Sequence, residues 1–278
     1  MDYILDCAGK RLDLTQPQVM GVLNVTPDSF SDGGRYVALD SALDHARQMA
    51  AEGATIIDVG GESTRPGAKP VSDQEELRRI IPVIEAIAAE LPVVISVDTR
   101  KPAVMRAAVA AGAGMINDVC ALREEGALEL VARLDVPVCL MHMQGDPRTM
   151  QAAPRYRDVV FEIGDFLNER VEKCVRAGID RRCLLIDPGF GFGKALEHNL
   201  QLLKHLESFN ALELPLVVGV SRKSLIGAVL DVGAEQRLYG SIALAAIAVW
   251  QGAAIVRAHD VAATLQAIKM VAAVRAAR

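Results

Sequence analysis

Where the apolar, β-branched runs of this sequence stop, polar residues follow, and their types fall into two chemical sets. Arg65, Lys223, Arg257 and His259 are suited to holding a polyanion. Asp98, Asn117 and Asp187 are acceptors suited to the N–H-rich edge of a flat heterocycle, because one carboxylate takes two parallel N–H donors. Asn24 carries an amide oxygen that could help hold Mg²⁺ beside phosphate oxygens. A heterocycle with a phosphorylated leaving group is the substrate this inventory suggests. Asp58, Glu62, Asp118 and Asp260 also stand at run ends, and for each an internal ion pair or loop cap competes with a site role.

Other chemistries lack their residues. There is no H-E-x-x-H and no H-x-H pair after the first apolar run, which argues against a metallohydrolase. No serine sits in a G-x-S-x-G elbow. The run Gly189-Phe190-Gly191-Phe192-Gly193-Lys194 has the wrong glycine spacing for a phosphate loop, and Ala195 stands where Ser or Thr would coordinate Mg²⁺. It reads as a mobile substrate loop. Lys223 could in principle form a Schiff base, its neighbours Arg222 and Arg257 favouring the neutral amine.

Eight strand candidates must position these residues: 19–25, 55–59, 93–98, 114–119, 137–142, 184–187, 215–220 and 254–258. They read as near-continuous apolar runs, as strands buried on both faces do. Each is followed by a stretch with helical periodicity. In 72–91 the apolar positions Leu77, Ile80, Ile81, Ile84, Ile87, Ala88 and Leu91 share one helical face. Ser72 and Glu75 are spaced as a capping box, and Pro82 is expected to kink or split that helix. Lys101-Pro102 opens the next helix and Gly112 ends it. Eight βα units predict an α/β fold, a (β/α)₈ TIM barrel forming a single domain over 1–278. A doubly wound sheet would place a Gly-rich loop after its first strand, where Asn24-Val25-Thr26-Pro27 stands instead. Residues 3–14 read as a hairpin turning at Gly9-Lys10 and plugging the barrel's N-terminal end. In such a barrel the C-terminal ends of the strands carry the chemistry.

With 278 residues, 51% of them hydrophobic, the chain can bury a large core and is not disordered. A formal charge of −5 argues against non-specific nucleic-acid binding, though not against a local basic pocket. The five cysteines include no C-x-x-C pair and read as small core residues of a reduced, cytoplasmic protein. The first six residues lack a basic region followed by an apolar stretch, so no secretory signal is expected. The longest apolar run, Ile242 to Trp250, is too short to span a bilayer, so no membrane partner is expected.

Several of these segments together resemble the dihydropteroate synthase family, over nearly the whole chain. The longest are Met20-Gly21-Val22-Leu23-Asn24-Val25-Thr26-Pro27-Asp28-Ser29-Phe30-Ser31-Asp32-Gly33-Gly34 and Asp58-Val59-Gly60-Gly61-Glu62-Ser63-Thr64-Arg65-Pro66-Gly67. Shorter ones are Ser96-Val97-Asp98-Thr99, Ile116-Asn117-Asp118, Met141-His142-Met143, Asp187-Pro188-Gly189-Phe190-Gly191-Phe192-Gly193-Lys194, Ser221-Arg222-Lys223-Ser224 and Arg257-Ala258-His259-Asp260. Cys120 and Ala258 depart from the family pattern, at places where local packing is at stake more than function.

The resemblance implies condensation of 6-hydroxymethyl-7,8-dihydropterin diphosphate with 4-aminobenzoate. By position, Asp98, Asn117, Asp187 and Lys223 would hold the pterin, Arg257 would stack on it, and Met141 and Phe192 would line its slot. Thr64, Arg65, Arg257 and His259 would hold the diphosphate, with Mg²⁺ at Asn24. Phe30, Pro66, Lys223 and Ser224 would shape the aminobenzoate pocket, and Asp32 would stabilise the developing cation. A related pterin-dependent methyltransferase would share the ring-binding residues but holds no diphosphate; a non-catalytic pterin-binding barrel would need no intact loops. A homodimer is expected through the last two helices, where Ile242, Leu244, Ile247, Val249, Leu265, Ile268 and Val271 exceed what the barrel needs.

Overall fold

The computed structural model describes residues 3–25, 35–63, 70–145 and 149–277, without the side chains of 35–38. A hairpin comes first, β1 (Ile4–Cys7) antiparallel to β2 (Lys10–Asp13). Its turn lies at Ala8-Gly9, one residue before the expected place, because these two residues take the positive φ values of 53° and 83° that let a two-residue turn follow the strand twist.

Eight parallel strands then close into a barrel: β3 (Gln18–Asn24), β4 (Ile56–Gly60), β5 (Val94–Asp98), β6 (Met115–Asp118), β7 (Val138–Met141), β8 (Leu184–Asp187), β9 (Leu216–Gly219) and β10 (Ala253–Ala258), with β10 returning to β3. All eight begin and end within two residues of the expected positions, and closure excludes the doubly wound sheet. The helices around it are α1 (Arg35–Ala51), α2 (Asp73–Glu90), α3 (Pro102–Ala110), α4 (Ala127–Leu134), α5 (Val159–Arg176), α6 (Leu196–Lys204), α7 (Ser224–Leu230), α8 (Leu238–Trp250) and α9 (Val261–Ala276). None is long and apolar enough to cross a membrane among the described residues.

Strand alternation divides the core in two. Outward residues such as Ile57, Val59, Ile95, Val97, Ile116 and Val256 pack under the helices. Inward, each strand gives one apolar residue to a layer at the N-terminal end: Met20, Ile56, Val94, Met115, Cys139, Leu185, Val217 and Ile255. The hairpin's Leu5, Cys7, Leu12 and Leu14 close this layer from below, which is the expected plug. Gly114 allows the approach, since a Cβ there would collide with the Cys7 carbonyl. With the bottom filled by hydrocarbon, the next inward residue on each strand, two positions on, is free to be polar.

Helix ends follow the sequence with two differences. Ser72 Oγ accepts from the Glu75 amide at 3.2 Å, but the Glu75 carboxylate turns to Arg78 and Arg79, so only half of the capping box forms. Pro82 lies inside α2, which runs unbroken past it. The five cysteines are free, and all but Cys183 are buried.

Candidate active site

Arg257 is the hub of the polar layer. It stands two residues after Ile255 on β10 and so faces into the barrel. Its Nε donates to Asp58 Oδ2 at 2.6 Å and one terminal nitrogen donates to Asp98 Oδ2 at 2.9 Å. Asn117 Nδ2 donates to the same Asp58 oxygen at 3.1 Å. Sheet register brings these strands together, with Asp58 opposite Ser96 and Asp98 opposite Asn117. Asp58 Oδ1, Ser96 Oγ and Asp98 Oδ1 are buried with no partner, which leaves acceptors in the barrel mouth for ligand N–H groups. Burial pushes the Asp98 carboxyl up to about 7; Arg257 opposes the shift and Asp58 adds to it. Burial works against the Arg257 charge, yet Asp58 and Asp98 hold its pKa above the ordinary value.

Lys223 and Asp187 form the second part. Lys223 Nζ donates to the Phe190 carbonyl and lies 4.9 Å from the centre of the Phe192 ring, a cation–π contact. Asp187 Oδ1 accepts from the Gly189 amide at 2.7 Å. Burial lowers Lys223 to about 8, partly offset by Asp187, and burial raises Asp187 against the opposing pull of Lys223. Gly219, on β9, puts no side chain in this space, and a Cβ there would stand 3.7 Å from Lys223 Nζ. Met141 joins Val119, Cys120, Met143 and Met150 in an apolar cluster against which Phe192 packs. These supply the wall expected of a slot for a flat ring. Cys120 is a buried member of that wall, its thiol pushed up to about 12 by burial, and Ala258 faces the outer core.

His259 Nδ1 lies 3.0 Å from Ser221 Oγ, which also accepts from the His259 amide. Ser224 opens α7 and is exposed beside Lys223. Asn24 ends β3, half-buried, opposite Gly60 in the register. The sequence-identified Phe30, Asp32, Thr64, Arg65 and Pro66 lie outside the described residues. Among the described residues no group of three or more His, Cys, Asp or Glu side chains could hold a metal.

The four ambiguous carboxylates resolve differently. Glu62 pairs with Lys101 at 2.6 Å, Asp260 takes a bidentate pair from Arg222, and Asp118 caps a loop by accepting from the Cys120 and Leu122 amides, each at 2.7 Å. Asp58 also makes an internal ion pair, but its partner is Arg257 in the barrel mouth, so here the two expected roles coincide; the signal that finds it is two-residue spacing from the inward Ile56. His142, a strand-end residue, turns away into a buried contact with Lys194. The Gly189–Lys194 loop is anchored, contrary to the mobile loop expected. Asn199 Oδ1 holds the Gly191 amide at 2.7 Å and the Tyr156 hydroxyl donates to the Gly193 carbonyl at 2.8 Å.

A barrel whose mouth pairs a buried Arg–carboxylate network with a lysine, an aspartate and an apolar wall is built to grip a flat, polar ring. Residues 20–259 match the family model described as pterin binding enzyme. The dihydropteroate synthase of Escherichia coli K12 is 56% identical over 270 residues, 97% of this chain and 96% of that protein. The fold is similar to that of the Xanthomonas albilineans dihydropteroate synthase with 4-aminobenzoic acid, with a TM-score of 0.95, 54% identity and complete coverage of both chains. The same enzyme in complex with 7,8-dihydropteroate aligns with a TM-score of 0.89 and 49% identity, over 99% of this chain and 100% of that one. The chain belongs to the pterin-binding enzymes and, within them, to the dihydropteroate synthases.

Proposed function

We propose that the barrel mouth condenses 6-hydroxymethyl-7,8-dihydropterin diphosphate with 4-aminobenzoate, giving 7,8-dihydropteroate and diphosphate, a transfer of the pterinylmethyl group in folate biosynthesis. The observation that carries this reading is the Arg257–Asp58–Asp98–Asn117 network facing Asp187 and Lys223. Asp98, Asn117 and Asp187 accept the ring's N–H groups, Lys223 donates to its acceptors, and Met141 and Phe192 exclude water from its faces. Arg257 lies against the ring and, with His259, Thr64 and Arg65, holds the diphosphate. Phe30, Pro66, Lys223 and Ser224 receive the aminobenzoate.

The donor set fits a magnesium ion held chiefly by substrate. Asn24, at the end of β3, would offer one neutral amide oxygen to the ion, and phosphate and water oxygens would have to supply the rest. When bound, Mg²⁺ neutralises charge on the diphosphate.

In the reaction the bond between the pterin methylene and the diphosphate oxygen breaks, and its electron pair leaves with diphosphate. Arg257, His259 and Arg65 stabilise the departing charge, in a buried site where fixed charges act strongly. The electron-rich pterin delocalises the cation, which the ring-binding carboxylates and, as the family resemblance implies, Asp32 would stabilise. The aryl amine, unprotonated near pH 7, forms the new C–N bond and then releases a proton, so no strong general base is required. A corrinoid-dependent methyltransferase holds no diphosphate and so has no use for Thr64, Arg65, Arg257 and His259 together as an anion-binding set.

The chain acts as a cytoplasmic homodimer in this reading. Val249 and Ile268 are buried in the core, and the partly buried Leu244, Leu265 and Val271 pack against it, so much of this apolar surface serves the barrel itself. Tyr239, Ile247, Trp250, Met270 and Val274, on the same two helices, leave an exposed apolar face that a second copy would cover. Mixing the protein with the pterin diphosphate, 4-aminobenzoate and Mg²⁺ tests the reaction. Stoichiometric diphosphate and 7,8-dihydropteroate are expected, and a folded protein that releases neither overturns the reading.

A further inference from the structure

Lys194 is 3% exposed, although it carries an amino group. Its Nζ donates to the carbonyls of Gly189 at 2.8 Å, Phe192 at 2.9 Å and His142 at 3.4 Å, and lies 3.0 Å from His142 Nδ1. Burial above all keeps the His142 ring neutral, and burial also lowers the Lys194 pKa well below its ordinary value; Nδ1 can therefore accept, and the few N–H bonds of the amino group are shared among these four acceptors. One nitrogen thus gathers both ends of the Gly189–Phe192 turn onto the end of β7. The turn has no slack on that side: Gly189 sits at φ 71°, and a Cβ there would collide with the His142 carbonyl.

What the turn presents on its other side is the ring-binding apparatus. The Phe190 carbonyl takes the Lys223 amino group, the Phe192 ring lies under the same group, and the Gly189 amide fixes Asp187 Oδ1. Without Lys194 the Phe192 carbonyl loses its amino partner and the Gly189 carbonyl keeps only the Phe192 amide, at 3.1 Å, and a turn no longer tied to β7 moves the groups holding Lys223.

We propose that Lys194 is a positioning residue for pterin recognition: by clamping the Gly189 and Phe192 carbonyls from below, it sets where Lys223 and Phe192 meet the ring. The proposal rests on the pterin reading of the site. It acts on the ring and not on the amine, because none of its contacts reaches the residues assigned to 4-aminobenzoate except through Lys223.

The test is steady-state kinetics of Lys194→Met in the full chain, with wild type in the same series. KM for the pterin diphosphate is expected to rise at least tenfold, while kcat stays within threefold and the KM for 4-aminobenzoate, which meets this turn only through Lys223, rises several-fold less than the pterin KM. Lys194→Gln keeps an N–H donor on a shorter side chain and is expected to recover part of that loss; if the Met variant does not fold, the Gln variant carries the test. Calorimetric titration with 6-hydroxymethylpterin is expected to weaken in parallel with KM. A folded Met or Gln variant with pterin KM within twofold of wild type overturns the proposal. So does a loss falling on kcat alone or equally on both KM values, as loosening of the fold would give. Wild-type turnover in the same series tests the pterin reading by itself.

Discussion

Asp58 offers the sharpest test of the site, because its carboxylate holds two partners by one oxygen. Arg257 Nε donates to Oδ2 at 2.6 Å and Asn117 Nδ2 donates at 3.1 Å, while the residue is wholly buried. In Asp58→Asn the shape survives and the charge is lost. A charge-assisted bond is worth about 1.5–3 kcal/mol and a neutral one about 0.5–1.5. The difference, about 1.5 kcal/mol, is roughly a tenfold fall in kcat/KM for the pterin diphosphate. Asp58→Ala leaves two donors without the acceptor, costs about 3 kcal/mol, and lowers kcat/KM roughly a hundredfold. The pH profile adds an independent readout. Asp98 sits at about 7, and the Asp58 charge is one of the causes holding it up. If ionised Asp98 accepts ring N–H groups, kcat/KM falls as pH drops through about 7. Removing the Asp58 charge lets Asp98 ionise more easily, so in Asp58→Asn that limb moves to lower pH. Diphosphate release measured from pH 5 to 9, with thermal melts to confirm folding, reads both effects. An Asp58→Asn enzyme with wild-type kcat/KM and an unmoved acid limb refutes the network as a functional unit.

Asp187→Asn and Lys223→Ala are each expected to lose about 2–3 kcal/mol of transition-state binding while remaining folded; near-wild-type turnover removes that residue from the ring-binding set. Burial holds Lys223 at about 8, below the ordinary 10.5, so its charge costs stability fully below about 8 and ceases to do so as pH rises toward 10.5. Lys223→Met therefore melts higher than wild type at pH 7, and a gap that does not narrow at high pH contradicts this. The exposed apolar face of α8 and α9 predicts a dimer that Trp250→Glu weakens; sedimentation of the wild type as a 29.8 kDa species at micromolar concentration refutes it. 4-Aminobenzoate, or a sulfonamide mimic, is expected to bind at least tenfold more tightly with Mg²⁺, diphosphate and pterin present, since the first ligand meets part of the ordering cost for the second. Calorimetry giving equal affinities refutes this coupling.

The barrel was legible because its strands are buried on both faces. Such strands need continuous apolar runs, and the runs from Val19 onward announce all eight. Strand ends were legible for the same reason: a run that stops at Asp98, Asn117 or Asp187 marks where the chain meets the barrel mouth. The plug followed from a hairpin pattern, although its turn fell one residue early, because sequence does not say which two residues take positive φ.

What the sequence could not decide was who faces whom. Asp58, Glu62, Asp118 and Asp260 have equal standing as strand-end carboxylates, yet three hold loops or pair with nearby cations and one joins Arg257, 199 positions away. That choice comes from barrel closure, which sets β10 beside β3 and turns Arg257 across the mouth toward β4 and β5. The apolar residues of α8 and α9 divide between core and surface for a similar reason: helical spacing names a face, but only docking on the barrel says how much of it is covered. Lys194 belongs to the same class. In sequence it ends a glycine-rich run like a phosphate-binding lysine; in the structure three carbonyls surround it, because the fold turns that run back over the end of β7. Local pattern, set by burial and backbone propensity, determined the barrel and the roster of polar residues. Long-range closure, which no short stretch encodes, decided which of those residues meet.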